Sequence, residues 1–240
     1  MQAFKHSGNG NYDRIISKKN PKYLIEKPWI PYAMPFILFL LLTAPAKYFP
    51  IYTPYFYITK TILVAYLLWH WRHAFSADIS LRIKPAEYLL SIAAGLVVLV
   101  LWITPEDILP KIGTPSGFNP YAFQWPAAAT VGLIAVRLAG ASIVVPIMEE
   151  LFWRSFIMRY AINPDFRKVP LGTFSLFSFA AVVILFGLEH YRVIQGIIAG
   201  IIYTLLVIRQ KSLRGCILAH GVTNLGLGIY VLSTEEWLFW

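Results

Sequence analysis

The sequence predicts an all-α fold, a polytopic membrane helical bundle with about seven transmembrane helices and eight as the alternative count. Hydrophobic residues make up 58% of the 240 positions and charged residues only 14%, well below the roughly 25% usual in soluble domains. Several apolar runs reach or approach the roughly 17 to 25 residues that a helix needs to cross the hydrocarbon core. The alternating ten-residue segments typical of a transmembrane barrel do not occur in the sequence.

Apolar runs between breaker residues predict seven spans, at about residues 30–45, 52–71, 87–103, 127–158, 171–189, 193–208 and 213–232. The fourth run is too long for one perpendicular crossing. We expect it to tilt, to kink near Pro146, or to leave the bilayer as an amphipathic extension that carries Arg154 and Arg159. Residues 29–240 are predicted to form a single domain, with its motif-bearing core at about 130–232.

Basic residues predict the orientation of these spans. With the N-terminus inside, cytoplasmic segments hold 15 Lys and Arg residues and outer segments hold three, as the positive-inside rule requires. Residues 1–28 are read as a basic cytoplasmic tail, and the Pro- and Gly-rich loop 104–126 as a cap on the outer face. The formal charge of +9 is distributed over short loops and forms no continuous stripe, so no nucleic-acid partner is predicted. We expect an integral protein of a bacterial inner membrane.

Three residues in or beside the spans receive a structural interpretation. Cys216 is the single cysteine, so it has no internal disulfide partner and is expected to pack in the core. Lys60 can extend its amine toward the membrane surface, and Arg137 is expected to pair or to face a cavity. No chemistry is predicted for them.

The last hundred residues bring polar groups from three different spans toward the bundle. Glu150 and Arg154 are four residues apart on one helical face and can pair, which leaves Glu149 unpaired by its own helix. Burial disfavours the charged form of a carboxylate, so Glu149 is suited to accept and release protons, and His190 can share the proton and orient a water. His220 and Asn224 are also one turn apart, and two convergent donors suit a developing oxyanion. Hydrogen bonding between helices is the structural alternative for this pair.

Absent motifs narrow the possible chemistry. The predicted spans contain no Asp, which excludes an aspartyl dyad, and the sequence contains neither a GxSG nor an HExxH motif. By span position His190 should lie near the outer end of its helix, ten or more ångströms from Glu149 and His220. The groups can meet if that helix starts later, tilts steeply, or is followed by a segment that turns back inside the bundle.

The segments EELFWR, FGLEH and HGVTN resemble, in this order, the three motifs of the CPBP family of intramembrane endopeptidases, which includes CAAX prenyl proteases and bacteriocin-processing enzymes. The resemblance covers roughly residues 130–232. Ser155 stands where the family commonly has Gly.

The resemblance implies a glutamate-dependent protease without a cofactor. Glu149 and His190 would activate water, His220 and Asn224 would stabilise the oxyanion, and Glu150 and Arg154 would be supporting residues. A variant with Glu and His as zinc ligands is the alternative, but Asn is a poor zinc ligand, so the metal-free mechanism is favoured.

The expected partners are a membrane-anchored protein or peptide substrate, cut near its C-terminus, and the lipid bilayer. The sequence does not set the oligomeric state. Two other functions stay open, a proton-coupled transporter and a non-catalytic scaffold or immunity protein of the same fold. No inverted repeat of the kind expected in a transporter is found.

Overall fold

The computed structural model describes residues 27–80, 82–106, 108–113 and 117–240, and within these ranges the chain forms helices and turns without a β-strand. The predicted all-α class is therefore confirmed. The helices are α1 Ile30–Thr43, α2 Thr53–His70, α3 Ser76–Ser80, α4 Pro85–Ile103, α5 Ala127–Tyr160, α6 Leu176–Leu188, α7 Val193–Gln210 and α8 Leu213–Thr234. Short 3₁₀ turns occupy Ala44–Lys47, Pro50–Tyr52, Pro120–Phe123, Phe166–Lys168 and Trp237–Phe239. The predicted basic tail lies, up to residue 26, outside the described residues.

Each predicted span contains one of the longer helices. In the described part of the chain, 5 helices are long and apolar enough to cross a membrane, namely Ile30–Lys47, Pro85–Ile103, Ala127–Tyr160, Val193–Gln210 and Leu213–Thr234. The other two are less apolar or shorter, because α2 carries Lys60 and several tyrosines and α6 has only 13 residues. The total of seven or eight crossings therefore stays a prediction.

Helix α5 is the longest element, with 34 residues, and contains two π-helical segments, Gly140–Val144 and Leu151–Ile157. Pro146 follows the first segment. A proline ring would clash with the preceding turn of a regular α-helix, and the wider π turn relieves that clash. The expected amphipathic extension is wrong, because the side chains of Arg154 and Arg159 are buried inside the protein.

The shortness of α6 removes the expected depth separation. Its 13 residues begin at Leu176 and span ~20 Å, less than the ~30 Å hydrocarbon core. The turn after it therefore lies among the helices. The ring of His190 in this turn contacts Phe186 at 4.8 Å between centroids, and Phe186 in turn contacts the ring of His220 at 6.3 Å.

Helix α8 packs against α4, α5 and α7, so its side chains reach the centre of the bundle. Gly95 of α4 permits close approach, since a Cβ there would collide with the Ala219 carbonyl of α8. The Thr223 hydroxyl donates to the Gly95 carbonyl at 2.8 Å, which joins the two helices across this contact. Gly221 similarly allows α8 to approach α5, because a Cβ would lie 2.8 Å from the Ser142 carbonyl.

A buried polar cluster fixes the C-terminal end of α5. Asp78 of α3 accepts from the Ser155 hydroxyl at 2.7 Å and from Tyr32 at 3.1 Å, and forms an ion pair with Arg159 at 2.8 Å. Arg159 also donates to the Ser155 carbonyl. The hydroxyl that distinguishes this chain from the common Gly of the first motif therefore has a specific partner from another helix.

Candidate active site

The four predicted catalytic residues line one cavity of ≈ 200 Å³, namely Glu149, His190, His220 and Asn224. Helices α4 to α8, the turn between α6 and α7, and the C-terminal segment contribute its walls. Apolar and aromatic side chains form most of the lining, so the few polar groups stand in an environment with little water.

Glu149 is the one acidic residue among the described residues that line the cavity. Its side chain is buried, and its Oε2 atom has no hydrogen-bond partner. Nε2 of His220 lies 3.9 Å from this oxygen, which is too long for a hydrogen bond. No ion pair or hydrogen bond links Glu149 directly to His190 in the described residues. A buried carboxylate oxygen without a donor is costly and indicates an unmet need for water or substrate.

Glu150 is fully buried and accepts from three side chains. Nη1 of Arg154 lies 3.1 Å from its Oε1, the i to i+4 pair expected from the sequence. Nδ1 of His220 lies 2.9 Å from the same oxygen, and Sγ of Cys216 donates to Oε2 at 2.8 Å. Cys216 is buried as predicted, but its thiol also contributes to this cluster. Glu150 thus ties α5 to α8.

The contact with Glu150 determines how the ring of His220 is oriented. An ionised carboxylate only accepts hydrogen bonds, so Nδ1 carries the hydrogen and Nε2 points to the cavity. The ring stacks on Tyr203 with centroids 5.0 Å apart and planes at 21°. Tyr203 donates to Thr223 at 2.7 Å, which holds the stacking partner in place.

His190 is oriented by its own turn. Its Nδ1 lies 2.7 Å from the Phe186 carbonyl, which can only accept, so Nδ1 is the donor. Nε2 of a neutral ring is then an acceptor. The ring also meets Trp102 edge-on, with centroids 5.4 Å apart.

Asn224 donates through Nδ2 to the Ala141 carbonyl at 2.8 Å. That carbonyl lacks a donor in its own helix, because the Val145 N–H bonds instead to Gly140 and the next residue, Pro146, has no N–H. Asn224 thus satisfies a carbonyl freed by the π turn. One hydrogen of its amide group remains for another acceptor.

The sequence pattern gave no functional role to Arg192 or Arg137, two arginines near the cavity. Arg192 makes a bidentate contact with Glu106 at 2.5 and 2.7 Å and donates to the Leu238 carbonyl at 3.2 Å. Burial raises the pKa of Glu106, but its hydrogen bonds to Arg192 and Lys111 outweigh that effect and hold the pKa below its ordinary value. Arg192 therefore links Glu106, near the start of the 104–126 loop, to Leu238 of the C-terminal segment.

Arg137 lines the cavity itself. Its guanidinium lies over the rings of Tyr57, Phe118 and Trp240, at 4.7, 4.2 and 5.1 Å. Lys60, the other lone cation, does not reach the surface, because it is only 7% exposed and donates to Thr43 at 2.8 Å.

The fold and the cavity define an α-helical integral membrane protein with a largely apolar cavity that contains a few polar groups. Residues 131–226 match the family model of type II CAAX prenyl endopeptidase Rce1-like proteins. This segment contains all three motifs, so the resemblance predicted from the sequence is confirmed over residues 131–226. The family is one of membrane proteases, which implies a protein substrate at the lipid bilayer. No curated protein and no solved structure gives a significant match.

Proposed function

We propose that the protein is an intramembrane endopeptidase that hydrolyses a peptide bond near the C-terminus of a membrane-associated substrate. The observation that carries this proposal is the unpartnered Oε2 of Glu149, which faces His220 across a gap of 3.9 Å in a cavity shared with His190 and Asn224. A water oxygen about 2.8 Å from each of two groups fits between atoms separated by this distance.

Glu149 is the proposed general base. It removes a proton from the water as the water oxygen bonds to the peptide carbonyl carbon, which gives a tetrahedral intermediate. Glu149 then transfers this proton to the leaving nitrogen, and the C–N bond breaks. His190 accepts a hydrogen bond from the same water through Nε2, and its bond to Phe186 keeps this nitrogen free.

His220 and Asn224 are the proposed oxyanion donors. Because Nδ1 of His220 donates to Glu150, its Nε2 donates only when the ring carries both protons. Two carboxylates lie beside the ring, Glu150 at 2.9 Å and Glu149 at 3.9 Å. Asn224 contributes its second amide hydrogen, while its bond to Ala141 keeps the amide plane fixed. Fixed donors of this kind cost little reorganisation in the transition state.

The proposed steps involve no metal ion. A zinc site would need three or more suitable donors, and among the described residues no group of three His, Cys, Asp or Glu side chains is placed to bind one. Metal analysis of the purified protein and cleavage in the presence of a chelator test this choice. Cleavage that requires zinc would contradict it.

We further propose that the N-terminus is cytoplasmic and that the membrane is a bacterial inner membrane. The excess of basic residues in the predicted inner segments, 15 against three, supports the orientation. A reporter fused to the N-terminus and tested for protease access from each side of sealed vesicles would distinguish the two orientations.

The substitution Glu149→Gln tests the function, because it keeps the shape of the side chain and removes the base. We expect single-turnover cleavage to fall about 10²- to 10⁴-fold, the range for general-base catalysis. The assay uses purified enzyme in liposomes with a prenylated peptide and, separately, an unprenylated membrane-spanning peptide, and mass spectrometry identifies the fragments. Glu235→Gln, an exposed position after α8, is the matched control.

Unchanged cleavage by the Glu149→Gln protein would reject the role of Glu149. If the wild-type protein cleaves neither peptide but carries ions across the liposome membrane, the proposed function is wrong and the transporter hypothesis gains support.

A further inference from the structure

We propose that Arg137 binds the terminal carboxylate of the substrate and thereby sets how close to the chain end the enzyme cuts. This inference rests on the proposed function and adds a specificity-determining residue to it. Arg137 lies outside the three motif segments, at the other end of the cavity wall that α5 provides.

The charge of Arg137 is not balanced by the protein. Nε of Arg137 is buried without a hydrogen-bond partner, and no ion pair reaches the guanidinium in the described residues. Lys60 lies 5.0 Å from the ring centroid of Tyr57, a ring that Arg137 also contacts, so a second cation is close by. Aromatic faces offset part of the cost of a desolvated cation, but they supply no opposite charge. The site is therefore suited to an anion.

Arginine favours a carboxylate among the possible anions. Its planar fork makes two parallel hydrogen bonds to a carboxylate, which adds orientation to attraction. Three bulky rings, those of Tyr57, Phe118 and Trp240, lie against the guanidinium and narrow the space beyond it. A carboxylate at the end of a chain fits this narrow arrangement better than an acidic side chain in mid-chain.

Helix α5 connects this group to the proposed base. Arg137, Ala141, Val145 and Glu149 all line the cavity, and successive members are four residues apart on one helical face. The two small or medium side chains between the charged ends leave space along this wall. Twelve residues correspond to ~18 Å, a length that about five extended residues span. The released C-terminal fragment is therefore expected to have at most about five residues.

The test compares two versions of one membrane-anchored peptide, one with a free C-terminal carboxylate and one with a C-terminal amide. Wild-type enzyme in liposomes is expected to cleave the free acid at least tenfold more efficiently, mainly through a lower KM. Arg137→Gln should reduce cleavage of the acid to the level of the amide and leave cleavage of the amide unchanged. Arg137→Lys, which keeps the charge without the fork, should restore part of the preference. Arg72→Gln, an exposed arginine beyond the end of α2, is the matched control.

A binding measurement separates this inference from the proposed function. Fluorescence anisotropy with the Glu149→Gln protein compares labelled acid and amide peptides without cleavage. Tighter binding of the acid peptide than of the amide peptide, with the difference lost when Arg137→Gln is added, supports the assignment even if no peptide is cleaved. If the two peptides bind equally, or if neither binds, the assignment of Arg137 is overturned. If the wild-type enzyme cleaves both peptides at equal rates, the assignment is also overturned, but the protease proposal stays intact. An anionic phospholipid retained by the wild-type protein but not by the Arg137→Gln protein in native mass spectrometry also overturns it.

Discussion

Replacement of Glu150 by Gln removes one buried negative charge and changes almost no volume. In the native protein this carboxylate accepts from Arg154 at 3.1 Å, from Nδ1 of His220 at 2.9 Å and from the Cys216 thiol at 2.8 Å. The substitution keeps a side-chain oxygen but removes the carboxylate that forms the ion pair with Arg154. We expect a large loss of stability for this reason.

The size of the loss follows from the surroundings of Arg154. Its side chain is 0% exposed, its Nη2 has no hydrogen-bond partner, and its other contacts are a Thr204 hydroxyl at 3.4 Å and the face of Phe186 at 4.2 Å. Water cannot reach the cation, and none of these contacts is anionic. Removing one partner of a buried ion pair typically lowers the free energy of unfolding by about 3 to 5 kcal/mol. This change raises the unfolding equilibrium constant more than a hundredfold.

Reversible unfolding of the purified protein in mixed micelles measures this loss. The double substitution Glu150→Gln with Arg154→Met removes both charges and should recover at least half of it, since an uncompensated charge is then no longer buried. Glu87→Gln breaks the exposed pair with Arg209 on another helix and should have a much smaller effect. A loss below about 1 kcal/mol for Glu150→Gln, or a double variant less stable than the single one, would refute the reasoning.

Three further predictions concern other contacts of the site and its frame. Asn224→Leu removes the donor of the Ala141 carbonyl and one proposed oxyanion donor, so we expect about 1 to 3 kcal/mol lower stability and a kcat about 10²- to 10³-fold lower in the liposome cleavage assay. Ser155→Ala leaves Asp78 with one donor fewer and should cost about 1 to 3 kcal/mol in the micelle unfolding assay, with normal peptide binding. The folded-state pKa of Glu106 is lowered, so its ion pairs stabilise the fold fully above about pH 4.3, the ordinary pKa of a glutamate, and less as the pH falls toward the folded-state value. The melting temperature should fall with pH over that window in wild-type protein and change less in Glu106→Gln.

The sequence predicted the helices and the residues of the cavity because both depend on patterns within single segments. Apolar run length predicted the seven longer helices but not the short α3, and the i to i+4 spacing gave the pair of Glu150 with Arg154. The unusual cost of polar groups in apolar helices pointed to Glu149 and His220. The motif segments then gave the resemblance to the family, and the match over residues 131–226 agrees with it.

Such patterns do not predict which side chains meet between helices. The pairing of Glu150 with His220 depends on the rotation of α5 against α8, and the helical spacing of each segment leaves that rotation undetermined. Position along the chain placed His190 too far from the other groups, because the shortness of α6 and the turn after it were not visible as a break in the apolar run. Pro146 has no N–H, so its presence in the sequence implies a carbonyl without a helical donor about one turn earlier. The sequence does not indicate that the side chain of Asn224 donates to that carbonyl.

Single-turnover cleavage in H₂¹⁸O tests most directly whether a water held by Glu149 and His220 attacks the peptide carbonyl. Mass spectrometry of the quenched reaction should show one ¹⁸O in the new carboxyl group of the product and an unchanged enzyme mass at every time point. The Glu149→Gln protein should form almost no product in the same period. An enzyme species heavier by the mass of an acyl fragment, or labelled product from Glu149→Gln at the wild-type rate, would contradict this mechanism.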